Sequence, residues 1–395
     1  MMKKISLIGV ALLLLLSGCA PKLNSQEENV QKTKDDDKKS IIPKYKISDE
    51  YYRIISPLEV SKARGQVVSN LNSRYDVNEM EMGLMRIAQE DFDTDEYIYN
   101  EGQNLTSKMV NRWLQRKYTK EQFKELMKKD SSLKESDNIG LNPVDPGKGD
   151  IDKRNKENPL YLAHILEQDY LVKKSDDEVS LGGVVIGLAL NSTHYYQKEE
   201  FGAVYETKID NDEIVKEGKK IADEVLSRLR SMDKLKNVPI TIALYKQAEK
   251  SSVVPGNFFA YAKAKEGSSS LSDWKKIDEK YYLFPSEEAG KKHRDDNKNF
   301  LSFKQEIEKY YPNFNGVIGR GYYLDDQLQK MKIEIPIQFY GKAESIGFTQ
   351  LVASKVMEFF PDYINVQVEI SSVDGPESII VRNTKDKEPF VHIYE

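Results

Sequence analysis

The chain has a single cysteine, Cys19, among 395 residues, and this limits the fold more than any other feature. One thiol allows no intramolecular disulfide and no cysteine-based zinc cluster, so a folded state must be held by packing and hydrogen bonds alone. The position of the thiol removes a segment from the fold altogether. Cys19 closes the tetrapeptide Leu16-Ser17-Gly18-Cys19 at the end of an apolar run from Ile5 to Leu16, which Lys3 and Lys4 precede. A short positive stretch, an apolar run of this length and small residues at its exit read as a secretory signal. Small residues let an extended chain enter a peptidase cleft, and a thiol directly after them is the group that can take up diacylglycerol. The expectation is cleavage before Cys19 by signal peptidase II, leaving a lipid-bearing N-terminus.

The remainder is long enough for two or three hydrophobic cores. No later segment approaches the roughly 20 apolar residues that cross a bilayer as a helix. A net charge of -5 speaks against nucleic acid as a partner, because binding the phosphate backbone needs a basic face. Residues 20–46 are polar and charged around Lys34-Asp35-Asp36-Asp37-Lys38-Lys39. With so few apolar groups to offset ordering entropy, they read as a flexible tether of about 30 Å.

Beyond the tether the pattern is mainly helical to Asn158. Val60, Ala63, Val67 and Leu71 recur at spacings of three and four, as do Met80, Leu84 and Ile87. Thr106 is placed to cap a helix, and Thr119 with Gln122 forms a capping-box pattern. Asn142-Pro143 and Asp145-Pro146-Gly147 then mark a boundary loop.

The second half carries one pattern twice. Ile165–Lys173 and Gly182–Leu190 read as strands, followed by an amphipathic helix over 213–230 and strands over 238–245 and 258–264. Later come strands over 317–324 and 330–339 about an Asp325-Asp326 turn, then a helix over 344–360 with Ile346, Leu351, Val352, Val356, Phe359 and Phe360 inward. Strands over 366–371 and 379–381 close the chain. The expected fold class is α+β: a helical N-terminal region, then two tandem β-β-α-β-β repeats, each a sheet with one face covered by a helix. The expected organisation is signal 1–18, lipidated cysteine and tether 19–46, helical region 47–156, and repeats over 157–270 and 271–395.

Catalytic sets are sparse. The four histidines, His164, His194, His293 and His392, show no metal-ligating spacing, and nucleophile-elbow and phosphate-loop patterns are absent. No cofactor or metal is expected. Polar residues cluster where strands end, which is where sites are often built. Asn191-Ser192-Thr193-His194-Tyr195-Tyr196 follows the central strand of the first repeat, and Tyr340-Gly341-Lys342-Ala343-Glu344-Ser345 the matching strand of the second. Asn191, Tyr195, Tyr340, Glu344 and Ser345 are therefore candidate ligand contacts, in a groove that the two exits would share. Asn191 and Ser345 serve equally well as caps, and the tyrosines as the rim of a core. Ile139-Gly140-Leu141-Asn142-Pro143 is a third polar segment of this kind.

Several segments carry a family resemblance together. The cysteine tetrapeptide and tether, Asn138-Ile139-Gly140-Leu141-Asn142-Pro143, Ile186-Gly187-Leu188-Ala189-Leu190-Asn191-Ser192, Tyr340-Gly341-Lys342-Ala343-Glu344-Ser345-Ile346-Gly347 and Pro389-Phe390-Val391-His392-Ile393-Tyr394 resemble the CamS sex-pheromone lipoprotein family of Gram-positive bacteria. The resemblance implies a mature lipoprotein on the extracellular face of the cell membrane, with two tandem CamS repeats and no established enzymatic activity. Its partners would be the membrane, through Cys19, and a ligand or protein of the envelope. In some members the cleaved signal is trimmed to a short apolar peptide that induces plasmid transfer. By position that peptide would be Leu12–Gly18, here nearly pure leucine, where the family's active peptides mix Ala, Ile and Phe. A third reading is an envelope hydrolase using the polar groups at the two strand exits.

Overall fold

Two large sheets carry the fold, and each has near its centre a pair of parallel strands joined by a crossover helix. The computed structural model describes residues 28–30, 40–65, 70–175, 178–310 and 316–395. Leu16, Ser17, Gly18 and Cys19, the peptide Leu12–Gly18, the charged run Lys34–Lys39 and Val67 lie outside the described residues.

In chain order, β1 (Glu28–Val30) pairs antiparallel with β2 (Ser40–Ile42), and β3 (Arg53–Ile54) precedes α1 (Arg74–Ala88). Then come β4 (Ile98–Glu101), α2 (Ser107–Leu114), α3 (Lys120–Lys129) and α4 (Ile151–Glu157). The long strands β5 (Leu162–Ser175) and β6 (Glu178–Asn191) lead to a short hairpin, β7 (Thr193–Gln197) with β8 (Val204–Lys208). Helix α5 (Asn211–Arg230), β9 (Ile240–Gln247), β10 (Asn257–Ala264) and β11 (Lys275–Lys276) complete the first sheet, in the order β11-β10-β9-β6-β5-β4-β3. The second begins with β12 (Glu279–Phe284), α6 (Glu287–Lys292) and α7 (Arg294–Tyr310). It continues through β13 (Ile318–Leu324), β14 (Gln327–Pro336), α8 (Lys342–Phe359), β15 (Asn365–Ser372), β16 (Gly375–Arg382) and β17 (Phe390–Ile393), the strands lying side by side in chain order.

The same succession of pairings occurs in both sheets. Strand β5 is antiparallel to β6, β6 is parallel to β9 through α5, and β9 is antiparallel to β10. Likewise β13 is antiparallel to β14, β14 is parallel to β15 through α8, and β15 is antiparallel to β16. The Asp325-Asp326 turn joins β13 to β14 with φ of 51° and 63°, the left-handed pair that a tight two-residue hairpin requires.

The two sheets differ in how they are covered, and their sequences differ accordingly. Along β6, Val184, Ile186, Leu188 and Leu190 pack under α5, while Val185 and Ala189 pack under α1 on the opposite face. A strand buried on both faces reads as an unbroken apolar run. Along β14 Leu328, Met331, Ile333 and Ile335 enter the core formed with α7 and α8, with exposed or half-buried residues between them, so that strand alternates. The expectation of one helix-covered face per sheet is thus corrected for the first sheet. Its second cover, α1, comes from the N-terminal region, which also supplies β4 and the edge strand β3.

Three further local differences have physical causes. Ile42, within the stretch read as tether, is fully buried beside Ile55, Ile98, Leu171 and Val179, an apolar residue that the charged composition around it conceals. Helix α8 buries Ser345, Phe348, Thr349, Val352 and Val356, while Ile346, expected inward, is 39% exposed. Counting apolar residues misplaces that face because two of its inward positions are polar and hydrogen-bonded. Thr349 Oγ1 lies 2.8 Å from the Ser345 carbonyl and 2.7 Å from Ser378 Oγ. The hairpin β7–β8 was not anticipated, since its residues read as a polar strand exit.

Candidate functional site

At the first exit, Asn191 ends β6. Its side-chain amide donates to the Leu160 carbonyl at 2.7 Å and its Oδ1 accepts from Gln247 at the end of β9 at 2.5 Å. Gln247 Oε1 in turn accepts from the Asn72 amide, whose side chain donates to the Ala248 carbonyl. Asn191 is therefore a tie between strand ends, with its donor and acceptor both occupied. Tyr195, half-buried on β7, accepts from the Lys250 amide at 3.1 Å, and the Lys250 ammonium sits 4.4 Å above its ring.

At the second exit, Tyr340 is 99% exposed and only its backbone amide is engaged, donating to Glu344 at 2.7 Å. Glu344 stands in the first turn of α8, where a carboxylate is favoured by the unpaired amides of a helix start. Ser345 is fully buried and donates to Glu377 at 3.1 Å, while Ser372 donates to the other oxygen of that carboxylate at 2.9 Å. Lys342 completes the group, 3.7 Å from Glu377 and bonded to the Tyr394 carbonyl. Each exit thus has its own network, and among the described residues no hydrogen bond or ion pair joins one to the other. The third segment is structural as well. Asn142 is buried, donates to the carbonyls of Leu114 and Leu162 and accepts from the Leu162 amide.

Three of the four histidines are pushed toward the neutral form by burial. Burial pushes His164 down to about 4, with Nδ1 3.3 Å from the Asn70 side chain. Burial, and then the Arg116 guanidinium, push His194 down to about 4, with Nε2 3.0 Å from Asn155. His293 is likewise lowered by burial and stacks on Tyr323 at 3.8 Å, while exposed His392 meets Tyr394 edge-on. Among the described residues none of them hydrogen-bonds a serine or threonine hydroxyl in the way a nucleophile would need. Among the described residues no group of three or more His, Cys, Asp or Glu is placed to hold a metal ion. No helix among them is long and apolar enough to cross a membrane.

Two depressions lie elsewhere. One, of about 300 Å3, sits on the uncovered face of the second sheet. The cross-strand row Ile318, Glu334, Glu369 and Ile379 forms its floor. Its carboxylates are paired, Glu334 with Arg320 at 2.7 Å and Glu369 with Lys332 at 2.9 Å.

The other, of about 370 Å3, runs between α5 and strands β9, β10 and β11, with Lys219, Lys246, Lys276 and Trp274 in its wall. Sequence reasoning missed these residues, yet one signal was there. Lys246 continues the Ile240, Ile242, Leu244 side of β9 and so had to face α5. Burial, and then the neighbouring Lys280, lower its ordinary value.

The chain matches the family model of the CamS sex pheromone cAM373 precursor over residues 58–388. Two solved structures resemble it closely. The C-terminal domain of a sex pheromone staph-cAM373 precursor from Staphylococcus aureus is 36% identical, with a TM-score of 0.72, over 82% of this chain and 98% of that one. A sex pheromone precursor from Lactobacillus salivarius is 33% identical, with a TM-score of 0.78, over 89% of this chain and 98% of that one. A search of curated proteins finds no match.

Proposed function

The chain belongs to the CamS sex pheromone cAM373 precursor family, and from that premise we propose that it is a lipoprotein anchored by Cys19 to the outer face of a Gram-positive cell membrane, whose folded part is a non-catalytic binding module of the envelope. One observation carries the reading: the only cysteine follows Leu16-Ser17-Gly18 at the end of an apolar run. A lone thiol there can form no disulfide within the chain. The burial of His164, His194 and His293, which lowers each of them, and the closed hydrogen-bond networks at both strand exits support binding over catalysis, because general acid–base chemistry needs a group free to exchange a proton. The shared succession of strand pairings supports two copies of one β-β-α-β-β unit.

Inhibiting signal peptidase II with globomycin should accumulate the uncleaved precursor, and the mature form should partition into detergent. Normal processing in globomycin, or a Cys19→Ala variant that remains membrane-bound in mature form, would refute the anchor. A second reading, release of Leu12–Gly18 as a signalling peptide, is favoured by one specific observation: the similar solved proteins are described as pheromone precursors. Synthetic Leu12–Gly18 peptide should then induce plasmid transfer, and silence at micromolar concentration would count against it.

A further inference from the structure

The groove beside α5 combines features that rarely coincide without a ligand. Its floor and walls are apolar, with Ile214 and Val215 from the helix, Phe259 from β10, and Trp274 and Ile277 flanking β11. Three ammonium groups rim it. The register explains why they converge. Lys276 lies opposite Ala260, which lies opposite Leu244 on the α5 side of the sheet, and Lys246 is the next residue of β9 on that side. Lys219, one turn along α5 from Val215, places its ammonium 5.6 Å from the Trp274 ring.

No carboxylate lines the groove. Among the described residues Lys246 bonds only the side-chain oxygen of Asn211, at 3.1 Å, and neither it, Lys219 nor Lys276 has an acidic partner. The groove is thus a local concentration of positive charge on a chain whose net charge is -5. Like charges around a half-enclosed, low-dielectric recess repel one another and focus a positive potential into it. An anion relieves that repulsion, and an apolar body attached to it covers the tryptophan and the lysine stems.

We infer that this groove binds a small organic anion, a carboxylate or phosphate carried on an apolar body, with Lys219, Lys246 and Lys276 holding the head group and Trp274 and Phe259 the body. The inference deepens the binding role proposed above and is independent of the lipid on Cys19. A failure here would leave the processing experiments untouched.

Equilibrium dialysis of the full chain against octanoate, octyl phosphate and octanol tests it. The three share one apolar body, so the apolar leader would take them up alike and only the differences among them count. The expected result is saturable uptake of at least one of the two anions, about tenfold tighter than octanol, with the preferred anion identifying the head group. Lys246→Met and Lys276→Met keep the stems and remove the charge, and each should weaken binding of that anion about tenfold, as expected for a charged hydrogen bond. Octanol binding as tightly as both anions would overturn the inference, and so would folded methionine variants that bind like the parent. The comparison of anions with octanol needs no variant, so it decides the matter even if a substitution prevents folding.

Discussion

Asp76 is the side chain most heavily used at the end of the central strands of the first sheet. Fully buried, it accepts from the Tyr245 hydroxyl at 2.8 Å, the Ala248 amide at 3.0 Å, the Gly256 amide at 2.9 Å and the Ser73 hydroxyl at 2.6 Å. Replacing it by alanine strands these donors, and Asp76→Ala should lower unfolding free energy by about 3 kcal/mol in urea titration. Tyr340, a bare side chain at the second exit, sets the contrast: Tyr340→Ala should fall within about 0.5 kcal/mol of the parent. Like His293, which burial also lowers, His164 and His194 add a pH dependence. Both stay neutral in the fold down to about 4, whereas in the unfolded chain they take up protons near the ordinary value of about 6.5. Stability is therefore full above pH 6.5 and is lost as pH falls toward 4, by up to about 3 kcal/mol per histidine. His164→Gln should remove one histidine's share of that loss, about 3 kcal/mol, in urea midpoints measured across the range, and an unchanged slope would refute the assignment.

Helix α5 illustrates what the sequence encodes at the level of elements. Its inward residues Ile214, Gly218, Ile221, Ala222, Val225 and Leu229 are those its periodicity selects, and Asp210 caps it by accepting from the Asp212 amide at 2.9 Å. Gly218 sits where the helix comes closest to the sheet, since a Cβ there would lie 2.5 Å from Leu190 and 3.3 Å from Leu244. Gly218→Val should force the helix off β6 and β9 and cost about 1–3 kcal/mol of overpacking, read as a lower denaturation midpoint. Long strands and helices were legible because their apolar period is dictated by burial. The Thr119–Gln122 capping box, present with both reciprocal bonds, was legible because its chemistry is local. The inward face of α8 was not, because Ser345 and Thr349 depend on Glu377 and Ser378, residues distant in sequence. The candidate site was legible only as strand exits. That Asn191 and Ser345 are tied within separate networks, and that three lysines converge elsewhere, follows from strand register and helix placement that no short window of sequence carries.

At the scale of the molecule, the two sheets meet through a charged cluster. Arg86 on α1 lies 2.7 Å from Glu79 and 2.9 Å from Glu279 on β12, while the Tyr281 and Tyr322 hydroxyls donate to Glu79 and Glu279. Burial raises Glu279 and Arg86 offsets that rise, so removing the guanidinium leaves two carboxylates facing each other without a cation. Arg86→Ala should cost about 3 kcal/mol and uncouple the halves. Both tryptophans, Trp113 and Trp274, report on the first half, so fluorescence and circular dichroism transitions that coincide in the parent should separate in the variant. Superimposable transitions would show that the cluster does not couple them. This coupled pair of sheets is what the N-terminal lipid would hold at the membrane, and the mass of the N-terminal peptide from membrane-extracted protein tests that most directly. The account predicts a peptide beginning at Cys19 and carrying diacylglycerol. A mature chain that begins elsewhere, or an unmodified Cys19 thiol, would contradict it.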